Sequence, residues 1–512
     1  MHLASQIRDH RFLGLTQSVC PTCLAVVPAK IVSRDGRVYF RKQCPEHGLR
    51  DDFVCSDDRW FDRPGFDLPG RMPPKFGIEP DRGCPYDCGL CTEHEQHTCI
   101  AVLEITSSCN LTCPLCYASS APGGKHVDFD DACRAIERLI ECEGRPEILQ
   151  LSGGEPTVHP RFLDIFRYAC SRPIDIVMIN TNGLRLARDA ALRREIAKLA
   201  HRTEIYLQFD GFDDCTHTAL RGESLAAEKL RAVELLGEAG LRTTLVCTLE
   251  RDLNLDQVGA LVEYAQARPW VTGISFQPAT YVGRYVEPHE LERRVTFPDV
   301  IHAICEQTGG RWRDSDFLPL PCAHPNTHIL GYGYRDQGKT IPLTRFIDVE
   351  NHLDLLANGV TFNRASARSL IADFLSRRAC GGDGGDCGCG PMLPESLSNA
   401  RAEGSAALSL PVVRSAEETE IASSAESFFR RALAQDLSPA DVFRITITSF
   451  MDAFNFDLRA LMKSCVHHLL PSGHLIPFCA YNLLYRDGRV PLPPLADAAR
   501  RTSEPHLPTR VS

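Results

Sequence analysis

The stretch SSCNLTCPLCYA, residues 107–118, places three cysteines within eight positions, at Cys109, Cys113 and Cys116. A structural zinc site takes four protein ligands, whereas three thiolates can hold three irons of a 4Fe–4S cluster and leave the fourth iron open to another ligand. The aromatic Tyr117 follows directly, and the loop itself follows a predicted strand. This pattern favours an iron–sulfur cluster over a zinc knuckle or isolated core cysteines.

The residues that follow position 100 alternate between apolar strands and helices. IAVLEIT (100–106) predicts the first strand, and residues 128–143 predict a helix because apolar side chains recur at helical spacing. Five further strands are predicted in EILQLSG, IDIVMINTNG, EIYLQFDG, TTLVCTLE and TGISFQPA. Such alternation means parallel strands joined by crossover helices. Six units fall short of the eight in a closed barrel, so we predict an α/β fold with an open, three-quarter β6/α6 barrel.

Polar or glycine-rich residues stand where the predicted strands end, which is the edge at which α/β folds carry their chemistry. The second strand ends in SGGEP (152–156), the third in NTNG (180–183), the fourth in FDG (209–211) and the fifth at Glu250. Together with the three-cysteine loop, these motifs resemble those of the radical S-adenosylmethionine superfamily.

The resemblance implies that the three cysteines are catalytic and hold a 4Fe–4S cluster bound to S-adenosylmethionine. One electron, from a donor such as ferredoxin or flavodoxin, would cleave the sulfonium to a 5′-deoxyadenosyl radical, which takes hydrogen from an unactivated carbon. Glu155 would hold the ammonium group of the ligand. The implied cofactor-binding residues are Tyr117, Ser152, Gly153, Gly154, Glu155, Asn180, Asn182, Asp210 and Glu250. Asn182, Asp210 and Glu250 can equally cap helices.

Further cysteines precede the predicted barrel. CPYDCGLCTEHEQHTC contributes Cys84, Cys88, Cys91 and Cys99, which suit an auxiliary 4Fe–4S cluster, with zinc as the alternative. Near the N-terminus, CPTC and CPEHG predict a rubredoxin-like site for iron or zinc. Its predicted ligands are Cys20, Cys23, Cys44 and Cys55, with His47 as a less favoured replacement for Cys55.

The C-terminal half offers ligands for a second auxiliary cluster, namely Cys322, Cys465 and Cys479. Three more cysteines, Cys380, Cys387 and Cys389, lie in a glycine-rich stretch that is either a ligand source or disordered chain. Six others fall within helical or strand patterns and are predicted to be small core residues. These are Cys133, Cys142, Cys170, Cys215, Cys247 and Cys305.

We divide the chain into six parts on these patterns. They are a metal-binding domain (1–78), an auxiliary-cluster segment (79–100), the radical core (101–290), a connecting region (291–395), a linker or helical stretch (396–435) and a C-terminal region (436–512).

The composition narrows the function classes. The 512 residues carry a net charge of −10 and no long basic run, which disfavours nucleic-acid binding. No stretch approaches the roughly 20 apolar residues of a membrane span, and the N-terminus lacks the apolar core of a secretory signal. We therefore expect a cytoplasmic protein and leave peripheral contact with a membrane open. In a reducing cytosol, 23 cysteines indicate metal ligands rather than disulfides.

A closer resemblance rests on motifs spread from Cys20 to Asn482. They include GCPYDCGLCTEHEQHTC, LQLSGGEPTVHP, ISFQPATYVGR, ITSFMDAFNFDL and CVHHLLPSGHLIPFCAYN, in this order. The chain is similar to the family of archaeal tetraether lipid synthase, members of which have also been described as methanopterin methylases. The resemblance implies a radical S-adenosylmethionine cluster, further iron–sulfur clusters and a rubredoxin-like iron.

Three functions follow from these observations, in order of preference. The first is carbon–carbon bond formation between lipid alkyl chains, which predicts a long apolar cavity at the barrel mouth. The second is methylation of a pterin or another small molecule, which predicts a shorter polar pocket and a methyl donor. The third is a redox protein without turnover, against which the intact SGGEP motif argues.

Overall fold

The computed structural model describes residues 9–287, 289–347, 349 and 416–496. The predictions made for Cys380, Cys387 and Cys389 lie outside these residues. Within the described part, no helix is long and apolar enough to cross a membrane.

The N-terminal part is a four-stranded antiparallel sheet in the order β1-β2-β3-β4. Its strands are β1 (Arg11–Val19), β2 (Val26–Arg34), β3 (Arg37–Cys44) and β4 (Gly48–Cys55). The Lys42 ammonium pairs with Asp52 in the interior and donates hydrogen bonds to the carbonyl oxygens of Ala453 and Phe454, each at 2.8 Å. This small sheet is therefore bonded to the C-terminal region.

The six predicted barrel strands are confirmed, and they lie side by side in parallel. They are β5 (Ile100–Thr106), β6 (Ile148–Gly153), β7 (Ile176–Thr181), β8 (Thr203–Gln208), β9 (Thr243–Leu249) and β10 (Val271–Pro278). The intervening helices are α1 (Phe129–Glu143), α2 (Phe162–Ser171), α3 (Leu184–Arg188), α4 (Ala190–Ala197), α5 (Asp214–Arg221), α6 (Ala226–Glu238), α7 (Val258–Gln266) and α8 (Phe297–Gln307).

The helices cover the outer face of the sheet with apolar side chains. In α1, the apolar stripe expected from the sequence is fully buried, and Ala132, Ile136 and Leu139 are 0% exposed. Strand residues that face the helices, such as Leu149 and Leu151, lie in the same core. This packing is the main source of stability, because apolar burial contributes roughly 25 cal/mol per Å².

Two strands from the C-terminal region extend the parallel sheet, which the sequence did not reveal. Strand β14 (Val442–Thr448) pairs in parallel with β10, and β15 (Val466–Leu469) pairs in parallel with β5. Four further strands pair antiparallel: β11 (Leu318–Pro319), β12 (His328–Asp336), β13 (Lys339–Pro342) and β16 (Leu475–Pro477). The order runs from β11 to β16 without closing among the described residues, as an open barrel requires.

Helices α9 (Ala416–Leu433), α10 (Leu458–Met462) and the short α11 (Phe478–Ala480) lie in the described residues 416–496. Helix α9 falls within the stretch 396–435, for which a linker or helix was predicted.

The six cysteines predicted to be core residues differ in how deeply they are buried. Cys142, Cys170 and Cys247 are buried in the main core, as expected. Cys215 is exposed, so its predicted place in the core is wrong. It lies in the first turn of α5, a helix that buries Thr216 and Leu220 instead. Cys133 and Cys305 are half-buried.

Candidate active site and metal centres

The three-cysteine loop leaves β5 and lines a cavity of ≈ 240 Å³ inside the open barrel. Cys109 is buried, and Cys113 and Cys116 are half-buried, all with free thiols. The backbone N–H of Leu111 donates to Cys109 Sγ at 3.4 Å. Three accessible sulfur ligands beside one cavity fit a cluster that leaves an iron open to a small ligand.

The turn that contains the glycine pair of SGGEP is hydrogen-bonded to the backbone at the start of this loop. Gly154 N donates to Thr106 O at 2.8 Å, and Glu155 N donates to Ser108 O at 2.9 Å. A Cβ at Gly154 would lie 2.3 Å from Ser108 O, so only glycine allows this approach. Gly153 and Gly154 also line the cavity. The two glycines therefore allow the backbone at the end of β6 to pack closely against the backbone of the cysteine loop.

The Glu155 carboxylate does not line the cavity, in contrast to the expectation that it holds the ligand's ammonium group. It is 1% exposed. It accepts hydrogen bonds from Asn182 N (2.8 Å), from Thr181 Oγ1 (2.8 Å) and from both the N–H and the hydroxyl of Thr157. Three of these bonds end on Oε1 and one on Oε2, so Glu155 ties the adjoining strand ends together while Oε2 keeps acceptor capacity, and its contact with a ligand stays a prediction.

The asparagines of NTNG, Asn180 and Asn182, which were predicted to bind the cofactor, both line the cavity. Asn180 Nδ2 donates to Ser152 Oγ at 3.1 Å, and its Oδ1 accepts from Gln208 Nε2 at 2.9 Å. Asn182 Nδ2 donates to Asn110 Oδ1 of the cysteine loop at 2.6 Å. Ser152 is thus a supporting residue behind Asn180.

Asp210 acts through an arginine that the sequence analysis missed. Its carboxylate accepts two hydrogen bonds from Arg221, at 2.7 and 2.6 Å, and Arg221 lines the cavity beside Cys113. Burial raises the pKa of Asp210, but the guanidinium outweighs this and holds that pKa below its usual value. The charges of the two side chains balance, and Arg221 also donates hydrogen bonds to Gln208 and Thr248 of the cavity wall, so the pair fixes this wall beside the cluster loop.

Glu250 does not line the cavity either, so its predicted contact with the cofactor is not supported. Burial raises its pKa to about 7, against the opposing charge of Arg294. Arg294 is itself bonded to Asp452. Tyr117, by contrast, does line the cavity. Its ring packs edge-on against the ring of Phe478, with the two ring centroids 5.1 Å apart.

Polar side chains from the middle of the sheet project into the cavity, and most were not predicted. Tyr206 OH donates to Ser275 Oγ and accepts from Gln277 Nε2, both at 2.9 Å. The polar strand residues lining the cavity are Gln150, Asn180, Tyr206, Gln208, Thr248, Ser275, Gln277, Arg444, Thr446 and Thr448. Their alternation along each strand was a signal in the sequence, because residues two apart share a face.

Apolar side chains line the rest of the cavity, from the strands at the two ends of the sheet and from nearby loops. They include Ile100, Val102, Leu330, Val466 and Phe478. The cavity is therefore two-sided. The lining thus combines hydrogen-bonding groups with a larger apolar surface, and the cavity volume lies below the roughly 300–1,000 Å³ of pockets for drug-sized ligands.

The N-terminal sheet brings four ligand atoms within 4.8 Å of one another, from Cys20, Cys23, Cys44 and His47. Burial opposes ionisation of Cys20, but the N–H groups of Cys23 and Thr22 outweigh it and lower its pKa to about 6. The prediction of Cys55 as the fourth ligand is wrong in this structure. It lies in the main hydrophobic core, and its thiol donates to Asp57 O at 3.4 Å.

The cysteines of residues 84–99 are divided between two groups. Cys84, Cys88 and Cys91 lie close to one another, and their mutual proximity raises the pKa values of Cys88 and Cys91 together with burial. Cys99 instead lies beside Cys322 and Cys465, whose proximity raises its pKa. The predicted four-cysteine set is therefore split, because Cys99 begins the strand-side contact with β15 while the other three stay in the preceding loop.

The last predicted ligand, Cys479, lines the same cavity as Cys465. Its Sγ accepts a hydrogen bond from Met451 N at 3.2 Å. Burial raises the pKa of this thiol to about 12.

The chain matches two family models. The HMPTM N-terminal zinc ribbon domain matches residues 12–56, and the Radical SAM superfamily matches residues 103–265. Thus the two matches cover the small antiparallel sheet and most of the barrel.

Relatives with assigned names match to different extents. The chain is 31% identical over 503 residues to 7,8-dihydro-6-hydroxymethylpterin dimethyltransferase of Methanocaldococcus jannaschii, which covers 92% of this chain and 94% of that protein. GTP 3′,8-cyclase of Cronobacter sakazakii is 30% identical over 173 residues, or 33% of this chain and 51% of that protein.

Two solved structures also resemble the chain. Streptococcus suis SuiB bound to S-adenosylmethionine shares 14% identity with a TM-score of 0.32, covering 40% of this chain and 46% of that one. The protein anSMEcpe with bound AdoMet shares 17% identity with a TM-score of 0.33, covering 42% of this chain and 57% of that one.

Proposed function

The chain belongs to the family of radical S-adenosylmethionine enzymes that includes 7,8-dihydro-6-hydroxymethylpterin dimethyltransferase, and from this premise we propose that it methylates a reduced pterin or a closely similar small heterocycle. The observation that carries the proposal is the identity to that enzyme along nearly the whole of both chains. The polar wall of the cavity supports it, since a heterocycle has hydrogen-bonding edges and an alkyl chain has none.

The cavity holds the residues that the chemistry needs. The cysteines of the loop would hold the 4Fe–4S cluster, and the cavity-facing backbone of Gly153 and Gly154, with Asn180 and Asn182, would bind S-adenosylmethionine. That cofactor pair supplies a 5′-deoxyadenosyl radical able to abstract hydrogen. The enclosing strands keep water from a reactive carbon.

Further metal centres are part of the proposal. The group formed by Cys20, Cys23, Cys44 and His47 has the chemistry of a tetrahedral zinc or iron site. The groups around Cys88 and around Cys99 are candidates for one or two auxiliary clusters. An electron must reach the radical site from outside, and a reduced ferredoxin or flavodoxin suits this role. The cytoplasmic location stays a prediction.

Lipid coupling, our first choice from the sequence, has less support. An alkyl chain has no group that can hydrogen-bond to the polar wall of the cavity, so it makes no use of the amides and hydroxyls that face it. A redox protein without turnover is also disfavoured, because the cavity, the cysteine loop and the glycine pair adjoin one another.

The test is an anaerobic assay with 7,8-dihydro-6-hydroxymethylpterin, S-adenosylmethionine and a chemical reductant, followed by mass spectrometry. We expect 5′-deoxyadenosine and a pterin heavier by one or two methyl groups. S-adenosylmethionine with an isotopically labelled methyl group reports whether it is the methyl donor. Cleavage of S-adenosylmethionine without any modified pterin, in the presence of this substrate, would overturn the proposed substrate class.

A further inference from the structure

One buried amide in the cavity has no protein partner. Gln150 lies on β6, in register between Val102 of β5 and Met178 of β7. It is 8% exposed, and its side chain lines the cavity. The other amides of this wall behave differently, since those of Asn180 and Gln208 bond to each other. Among the described residues, the Gln150 side chain makes no hydrogen bond.

An unpaired buried amide is costly to a folded protein. Within the protein, the Gln150 amide gains no hydrogen bond that would offset its removal from bulk water. The flanking residues Leu149 and Leu151 point the other way, into the helix-covered core. Gln150 thus stands in an apolar strand, EILQLSG, in which an aliphatic residue would be the more stable choice. Buried polar groups without a structural role occur mainly at functional sites.

The surroundings of Gln150 indicate what would pair with it. The cavity wall also carries Arg444, whose guanidinium lies 3.6 Å from the Glu204 carboxylate. Glu204 further accepts hydrogen bonds from Thr244 and Thr272. Because a buried carboxylate balances the arginine, this wall does not select for an anion. A neutral ligand with both donor and acceptor atoms suits it better.

We propose that Gln150 is a specificity-determining residue that reads the amide edge of a neutral, planar heterocycle bound in the barrel. A primary carboxamide presents one donor and one acceptor side by side, which matches a ring N–H next to a ring carbonyl. The 2-amino-4-oxo edge of a pterin has this pattern. The inference rests on the proposed function and adds the residue that distinguishes this edge.

The decisive variant is Gln150→Met, which keeps the length of the side chain and removes both hydrogen-bonding atoms. The matched control is Met178→Leu, on the neighbouring strand and facing the same cavity. Both proteins are prepared anaerobically with their clusters and with S-adenosylmethionine. Binding of 7,8-dihydro-6-hydroxymethylpterin is measured by equilibrium dialysis, and Tm is measured with and without that pterin.

We expect Gln150→Met to weaken pterin binding about 10- to 100-fold, because two hydrogen bonds are lost and each 1.4 kcal/mol is tenfold. In the absence of pterin its Tm should equal or exceed that of the wild type, because an unpaired amide is removed. The control should change binding by only a few-fold. A merely structural glutamine would instead give a lower Tm.

A second comparison uses an analogue methylated at ring N3, which removes the N–H of this edge. The wild type should bind the pterin more tightly than this analogue, and Gln150→Met should lose most of that preference, because it has no hydrogen bond left to lose. Gln150→Leu, which also lacks both hydrogen-bonding atoms, serves as a second variant should the first be poorly folded, and it too should lose the preference.

The outcomes separate the two proposals. If the wild type binds no pterin, the proposed function fails, and the inference falls with it. If the wild type binds and methylates the pterin while Gln150→Met and Gln150→Leu bind it equally well, the inference is wrong and the proposed function stands. A lower Tm of Gln150→Met without pterin would also overturn the inference.

Discussion

Arg284 Nε donates a hydrogen bond to the carbonyl oxygen of Cys113 at 2.5 Å. A second nitrogen of the same guanidinium reaches Ser120 O at 2.9 Å. The backbone of Arg284 also pairs with that of Cys116, through two hydrogen bonds of 2.8 and 3.0 Å. Hydrogen bonds therefore join the segment that follows β10 to the three-cysteine loop, which follows β5.

Replacement of Arg284 by leucine should loosen this loop. We expect the rate of reductive cleavage of S-adenosylmethionine to fall about 10- to 100-fold, because hydrogen bonds from a charged donor contribute about 1.5–3 kcal/mol. Cleavage is measured as 5′-deoxyadenosine formed with dithionite. Arg134→Leu, which removes an exposed arginine of α1, is the control. Wild-type cleavage in Arg284→Leu would show that the loop holds its shape without this contact.

The neighbouring Gly283 permits the same approach in the backbone. Its φ is +70°, and a Cβ there would lie 2.3 Å from Tyr117 O. Gly283→Ala should therefore lower both cluster content and S-adenosylmethionine cleavage. Gly36→Ala is a matched control, since its φ is +74° with no atom within 4 Å of the added Cβ. Equal cleavage by the two variants would mean that the contact with Tyr117 has no effect.

The N-terminal metal site should depend on His47 and not on Cys55. His47→Ala removes one of the four clustered ligands, so we expect the metal bound at this site to be lost or to bind far more weakly. Cys55→Ala removes a core thiol and should retain the metal. Metal content is determined by mass spectrometry of the purified chains. Loss of metal from Cys55→Ala alone would restore the cysteine as the ligand.

The division of the auxiliary cysteines predicts a pattern in double variants. Cys99→Ala and Cys322→Ala should each remove the same iron centre, so combining them should cause no further loss of iron. Cys99→Ala combined with Cys88→Ala should remove two centres, because these residues belong to different groups. Iron analysis and electron paramagnetic resonance distinguish the cases. An additive loss in Cys99→Ala/Cys322→Ala would contradict the grouping.

Glu250 should make stability depend on pH. Burial raises its pKa from 4.5 to about 7 in the folded protein, so the folded state binds the proton more tightly than the unfolded state. This contribution to stability is therefore largest below pH 4.5 and is lost as the pH rises through about 7.

Glu250→Gln removes this dependence on pH. Relative to the wild type, the variant should gain stability between about pH 5 and about pH 8, by of the order of 1–3 kcal/mol. The Tm of both proteins is compared across this range. Cleavage of S-adenosylmethionine should be unchanged, and its loss in Glu250→Gln at unchanged Tm would return Glu250 to the cofactor site.

The barrel and its radical site could be predicted because their signals are local. Cys109, Cys113 and Cys116 lie in one loop, and each of the six core strands is marked by its own apolar run and by polar residues at its end. Such patterns depend on neighbours along the chain, and the structure confirms the strands that they predict. That β14 and β15 extend this sheet could not be predicted, because they lie far along the chain from β10 and β5, the strands with which they pair.

The partners of individual side chains were decided by tertiary structure. Whether Cys99 joins Cys88 or Cys322 depends on strand pairing between β5 and β15, which no spacing within residues 84–99 encodes. Tertiary structure also decided between His47 and Cys55 as the fourth metal ligand, because the register of β3 and β4 places Cys55 in the core. Amino-acid sequence alone determined the type of cofactor chemistry, since thiolate spacing is a local property. The folded barrel determined which surfaces face the substrate, because a cavity wall is assembled from strands that are distant in the chain.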